Sequence, residues 1–385
     1  MSQSYDVIVV GAGVVGSSTA YNLVQHGAGK VLLLEQFSSL HTRGSSHGGS
    51  RITRRAYNKP FYVHMMDEAY RMWDQIEREG KTKLYTNTGI LVFGPRTSPD
   101  LKKTIASLHI NEVEHEVLTA EEAMLRYPHQ LDLPFDHKCV FERDGGTLLA
   151  TKAVSVIQRL FTEGGGELLD GHRVKEIAPG PIVRVTTNNG DFTTRRLVVT
   201  AGPWAPTIMA QLGVKLPFKF SIRRAEVFYW RVEHPELYSA DTFPSVILYD
   251  DTHHPFYAMP ICEYPGLVKI CPYATVCVDP DSRDEQISPR VEDIQPYVAK
   301  YFKGVSTTPS IYEACIITKT PDEHPIIDRH PGHSNIVFGA GFSGHGFKLS
   351  PVMGKLLCEL AMDLPPSHDL TPFRLDRFNK HSSKL

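Results

Sequence analysis

Apolar positions along this chain fall into short unbroken runs set between helical stretches. Val7-Ile8-Val9-Val10 is a β-branched run without a polar break, the pattern of a strand buried on both faces. Ser17-Ser18-Thr19-Ala20-Tyr21-Asn22-Leu23 predicts a helix that stops near Gly27, a residue suited to a C-terminal cap. Val31-Leu32-Leu33-Leu34 predicts a second buried strand. Further along, Thr88-Gly89-Ile90-Leu91-Val92-Phe93 and Leu197-Val198-Val199-Thr200 read as strands, the residues around Ala153-Val154 as a helix, and Ser350-Pro351-Val352-Met353-Gly354-Lys355-Leu356-Leu357 as the start of another. Strand, helix and strand in that order predict an α/β chain with a parallel sheet.

Between the first strand and its helix stands Gly11-Ala12-Gly13-Val14-Val15-Gly16. In a dinucleotide-binding turn the first glycine permits the tight bend, the second lets the backbone approach a pyrophosphate, and the third lets the helix pack on the strand. The helix N-terminus then offers free N–H groups and a positive dipole end to the phosphates. Glu35 closes the second strand, at the distance expected for an acid that accepts a ribose hydroxyl. That acid argues against a 2′-phosphate and so against NADP. The glycine pattern alone does not separate FAD from NAD.

Composition narrows the classes. The 385 residues carry 41 Lys and Arg against 43 Asp and Glu, a net charge of −2, so neither nucleic acid nor an anionic membrane surface is the expected partner. No apolar run is long enough to span a bilayer, and no signal peptide is visible. The cysteines at 139, 262, 271, 277, 315 and 358 form no C-x-x-C pair, so no disulfide framework, zinc site or other metal site is expected. The chain ends Ser383-Lys384-Leu385, the tripeptide read by the peroxisomal import receptor in an organism that has peroxisomes. Outside such an organism the expectation is the cytoplasm.

Three further segments stand out: His41-Thr42-Arg43-Gly44-Ser45-Ser46-His47-Gly48-Gly49-Ser50-Arg51-Ile52-Thr53-Arg54, Cys315 with the Thr320-Pro321-Asp322-Glu323 that follows it, and Gly341-Phe342-Ser343-Gly344-His345-Gly346-Phe347-Lys348. With the glycine fingerprint they resemble the monomeric sarcosine oxidase and L-pipecolate oxidase family of amine-oxidising flavoenzymes, the animal peroxisomal members in particular, over essentially the whole chain. The resemblance implies a Rossmann-like FAD-binding domain joined to an antiparallel-sheet substrate domain, as in glutathione reductase and D-amino-acid oxidase. It implies FAD attached through Cys315 as an 8α-S-cysteinyl thioether, a bond that needs the thiolate as nucleophile.

Arg54 and Lys348 match the residues that hold the substrate carboxylate, a fork and a point charge. Arg51 matches the arginine beside the flavin, with His47 and Ser50 lining the ring. Gly202, Gly341, Gly344 and Gly346 are expected against the cofactor. Lys269 matches the lysine proposed to activate oxygen, since a fixed cation stabilises charge developing on dioxygen. Tyr257 matches a tyrosine of the substrate pocket. By composition alone the arginines read as a solvated patch and Lys269 as a surface lysine, while Tyr257 reads equally as a strand aromatic.

Two positions depart from the family pattern: Tyr273 stands where a histidine is usual, and Ile317 where a tyrosine is usual. Both face the amine end of the substrate in that pattern, so larger or cyclic amines such as L-pipecolate are as well suited as sarcosine. The expected reaction is oxidation of a secondary amino acid to an imine, with dioxygen reduced to hydrogen peroxide by a monomer. A dehydrogenase with another acceptor, an NAD-linked dehydrogenase and a non-catalytic flavin binder stay open. The expected FAD-binding segments are 1–85, 148–218 and 315–385; the expected substrate domain is 86–147 with 219–314.

Overall fold

The computed structural model describes residues 3–249, 256–273, 276–283, 285 and 288–381. Ser383-Lys384-Leu385 lies outside the described residues. Strand Gln3–Val10 sits at the centre of the first sheet, parallel to Val31–Leu34 on one side and to Gly190–Val199 on the other. Its residues 7–10 are at most 5% exposed, as a strand with neighbours on both edges and cover on both faces requires. Glu167–Leu169 extends the sheet in parallel beyond Val31–Leu34. His333–Ala340 lies parallel to the C-terminal end of Gly190–Val199, while Val183–Thr187 and Val174–Ala178 add an antiparallel edge.

Helix Val14–Gln25 is buried over residues 14–23 because it packs among helices Ala150–Glu163 and Ser350–Ala361. Its buried hydroxyls on Ser17, Ser18 and Thr19 are not left unpaired: they donate to the carbonyls of Ala12, Val14 and Val15. The close crossing depends on Gly354, where a Cβ would stand 2.6 Å from Ser18 Cβ.

The second sheet has nine strands, the longest being Ser221–Val232 and Val305–Lys319. It is antiparallel except where Ser245–Leu248 runs parallel to Ile90–Pro95. The chain between those two strands first passes through the other sheet, and so long a connection frees the pair from the hairpin geometry that adjacent segments impose. A small third sheet pairs Ser50–Thr53 and Tyr85–Asn87 with Gly146–Leu149. Strand Val305–Lys319 holds residue 315 in its interior and stays paired with Ser221–Val232 through Lys319.

Candidate active site

The turn after the first strand is as tight as its glycines imply. Gly11 has φ +98°, and a Cβ there would lie 2.6 Å from the Thr200 carbonyl oxygen. Gly16 packs back on the same turn: a Cβ there would lie 1.9 Å from Gly11 O. Gly13, at the N-cap of the helix that starts at Val14, has no side chain to cap it, and the Val14 N–H donates instead to Ser46 Oγ at 2.9 Å. Glu35 Oε2 accepts from the Ala12 N–H at 2.9 Å, and its Oε1 from the Phe37 N–H at 3.1 Å with His41 Nε2 3.4 Å away, which leaves Oε2 a further lone pair for a hydroxyl.

This turn opens into a cavity of about 570 Å³. Gly11, Gly13, Glu35 and Gly202 line it on the nucleotide side. His47, Ser50, Arg51 and Cys315 line it as well, and so do Arg54, Tyr257, Tyr273, Ile317 and Lys348. Gly341, Gly344 and Gly346 complete the wall. The structure thus brings together residues drawn from almost the whole chain. Two expected site residues do not line the cavity. Gly16 acts through helix packing on Gly11. Lys269, 2% exposed, sits one layer back with its Nζ 3.1 Å from Ser50 Oγ.

Cys315 is the reactive group of the cavity. Burial pushes its thiol up, but the Arg51 guanidinium, with Nη2 3.3 Å from Sγ, and His47 outweigh that and bring it down to about 6. Arg51 is itself fixed, donating to the Ser45 carbonyl at 3.0 Å and to the His47 and Ser50 carbonyls at 2.6 and 2.8 Å.

Arg54 and Lys348 stand together without an anion. Arg54 donates to the Tyr249 hydroxyl at 3.2 Å and lies over the Tyr57 ring at 4.4 Å from its centroid. Lys348 Nζ donates to the Gly344 carbonyl at 2.6 Å, and its own carbonyl accepts from Trp73 Nε1 at 2.9 Å. Among the described residues neither cation is paired with a carboxylate side chain. Burial opposes the Arg54 charge, but the facing phenols of Tyr249, Tyr57 and Tyr273 hold its proton more tightly than usual. Lys348 has no such help: burial, Arg54 and Arg51 all push its ammonium well below the ordinary range. The same burial and cations keep the His345 imidazole neutral, with Nδ1 3.3 Å from Tyr57 Oη.

Several of these residues carry no sequence signal. Glu142 is fully buried and accepts from the N–H groups of Arg55 and Ala56 at 2.8 and 3.0 Å, which fixes the turn behind Arg54. Tyr249 and Tyr57 reach Arg54 from separate elements. Ser46 lies within the basic segment noted above, and its position two residues after Gly44 was the available hint.

The sequence pattern of the family described as FAD dependent oxidoreductase matches residues 6–360. The chain belongs to this family. Within it, the chain is 43% identical over 380 residues to a mouse protein named peroxisomal sarcosine oxidase, covering 97% of this chain and 96% of the mouse one. It is 32% identical over 384 residues to monomeric sarcosine oxidase of Bacillus sp. strain NS-129, covering 98% of each. Among solved structures, NikD, an unusual amino acid oxidase essential for nikkomycin biosynthesis, matches the fold with a TM-score of 0.83 at 23% identity, over 97% of this chain and 98% of that one. The cofactor of the family is FAD, and the site fits it: a helix N-terminus with glycine at its N-cap, a turn too tight for side chains, an acid with a free lone pair on Oε2 and a large cavity beyond them.

Proposed function

We propose that the protein oxidises a secondary, N-alkylated amino acid at a C–N bond, holding its carboxylate between Arg54 and Lys348 and passing the electrons to dioxygen. The observation that carries this reading is the pair of buried cations, without a carboxylate of their own, on the same cavity as the glycine turn. A buried guanidinium without a carboxylate is costly, and burial with Arg54 and Arg51 disfavours the Lys348 charge beside it until an anion arrives, so the pair is built for an anion. The names of the mouse and Bacillus relatives support an N-methyl amino acid as the class.

FAD, when bound, supplies the two-electron acceptor. The remaining work falls to side chains. Arg54 can grip both carboxylate oxygens, and Lys348 adds a point charge that becomes favourable once the anion arrives. The surrounding cations favour the neutral amine over the ammonium, leaving a nitrogen lone pair free as the C–H bond breaks. Ile317 shapes the amine end, while Tyr273 stands beside Arg54. An apolar wall discriminates by only about 1–3 kcal/mol per methylene, so sarcosine and L-pipecolate both belong to the expected range. Lys269, behind Ser50, is the cation that meets charge developing on dioxygen. Cys315, already poised as a thiolate, holds the flavin by a thioether.

Anaerobic addition of sarcosine or L-pipecolate to the purified yellow protein is expected to bleach it, and peroxide should appear on admitting air. A protein bleached by neither, nor by other secondary amino acids, would refute the reading. Flavin should stay with the denatured wild type and leave denatured Cys315→Ala; retention in the variant would move the link elsewhere. Peroxisomal residence through Ser383-Lys384-Leu385 rests on the name of the mouse relative. It predicts that deleting the tripeptide disperses a punctate fluorescent fusion.

A further inference from the structure

Behind Ser50 a line of hydrogen-bonded groups leads away from the cavity. Lys269 Nζ lies 2.8 Å from Glu263 Oε1. Ser50 Oγ donates to that same oxygen. The Glu263 side chain is only 9% exposed, and its Oε2 is buried without a hydrogen-bond partner. Gly49 makes the room, since a Cβ there would come within 2.0 Å of Glu263 Cγ. Burial pushes the Glu263 carboxyl up, but Lys269 and Ser50 outweigh it and hold the group below the ordinary range, as an anion.

The next group is Tyr229, 1% exposed. Its hydroxyl lies 3.4 Å from Glu263 Oε1 and 3.2 Å from Glu313 Oε2. Glu313 in turn accepts from the Tyr264 hydroxyl at 2.5 Å, and both of these residues are partly exposed. A phenol has one proton and two lone pairs, so Tyr229 can donate to one carboxylate while accepting from the other when that one is protonated. Alternation between those states is what a proton relay needs.

We propose that Lys269, Glu263, Tyr229 and Glu313 form a proton relay between the cavity wall and the protein surface. The proposal rests on the reading of Lys269 as the cation that meets dioxygen. In the overall reaction the amine gives up one C–H and one N–H hydrogen, two electrons and two protons in all, and dioxygen takes up the same to become hydrogen peroxide. When the N–H proton leaves to solvent with the imine, an equal proton must return. The Lys269 ammonium, one layer back, releases it through the Ser50 hydroxyl on the cavity wall, 3.1 Å away, which passes its own proton to the reduced oxygen. Lys269 is recharged from Glu313 through Tyr229 and Glu263, and Glu313 is refilled from solvent. Glu263 and Tyr229 are positioning and relay residues and touch no substrate.

The test uses the holoenzyme with Tyr229→Phe, Glu263→Gln, Glu313→Gln and Lys269→Met, all close in shape to the residues replaced. Anaerobic bleaching and reoxidation by dioxygen are timed separately, the latter in H2O and in D2O, and the midpoint potential of the bound flavin is measured. Tyr229→Phe is expected to slow reoxidation on the order of 10²-fold, to raise its solvent isotope effect, and to leave bleaching and potential as in the wild type. Glu263→Gln is expected to slow reoxidation similarly and to shift the potential upward, because the Lys269 charge is no longer balanced. Glu313→Gln should resemble Tyr229→Phe. Wild-type reoxidation and isotope effect in Tyr229→Phe and Glu263→Gln, with Lys269→Met slow, would overturn the relay alone. Wild-type reoxidation in Lys269→Met would overturn the oxygen-side reading beneath it.

Discussion

Replacing Arg51 with methionine should slow flavin attachment at neutral pH by at least about thirtyfold while leaving the cavity filled. The Arg51 guanidinium lies 3.3 Å from Cys315 Sγ and is the largest influence lowering the thiol. At an effective dielectric constant of about 20, a charge at that separation contributes about 5 kcal/mol, or nearly four pKa units. Loss of Arg51 therefore returns the thiol from about 6 to its ordinary value of 9.0 or above, since burial still pushes it up. At pH 7.4 the thiolate fraction falls from about 95% to about 3% or less, a loss of at least about thirtyfold in the nucleophile. The assay mixes apoprotein with FAD between about pH 5 and 10 and follows flavin fluorescence that survives denaturation. Wild type should reach half its maximal rate near pH 6, the variant only near or above pH 9. A variant profile still centred near 6 would refute the assignment of Arg51 as the group that activates the thiol.

Binding of an unreactive carboxylate such as acetate to the holoenzyme should take up a proton and weaken as pH rises. The free Lys348 ammonium is held low by burial, Arg54 and Arg51, and an anion beside it restores the charge. Calorimetry in two buffers of different ionisation enthalpy measures the uptake, and Lys348→Met should lose it. Glu142 is raised from 4.5 to about 7 by burial, so the folded state holds its proton more tightly than the unfolded chain does. Stability from this group is therefore full below about 4.5 and lost as pH rises to about 7, and melting curves of Glu142→Gln should show that slope flattened. Ile317→Tyr should narrow the amine end and shift the ratio of kcat/KM for sarcosine over L-pipecolate upward by about 10- to 100-fold; an unchanged ratio would remove Ile317 from the pocket wall.

The parts of this protein legible in its sequence are those whose physics is local. A buried strand, a glycine turn and a helix with glycine at its N-cap follow one another within residues 7–25, so their geometry is set by neighbours in the chain, and Glu35 is one strand further on. The family motifs extended that reading to Arg54, Cys315 and Lys348. The pairing that lowers the Cys315 thiol joins residues 264 positions apart, and the one behind Arg54 joins residues more than 80 apart. Glu142, Tyr249 and Glu263 sit in stretches that read as ordinary strand or loop, because a carboxylate or phenol acquires its role from the cation it meets and the water it loses. Strand Val305–Lys319 shows the same division: its cysteine motif reads as cofactor sequence, yet its backbone hydrogen bonds belong to the second sheet. The chain alone determined which groups are present and where its backbone must bend. Only the tertiary structure decided which charges stand beside each other without solvent, and Coulomb energy at short range in a dry cavity is what turns those groups into a site.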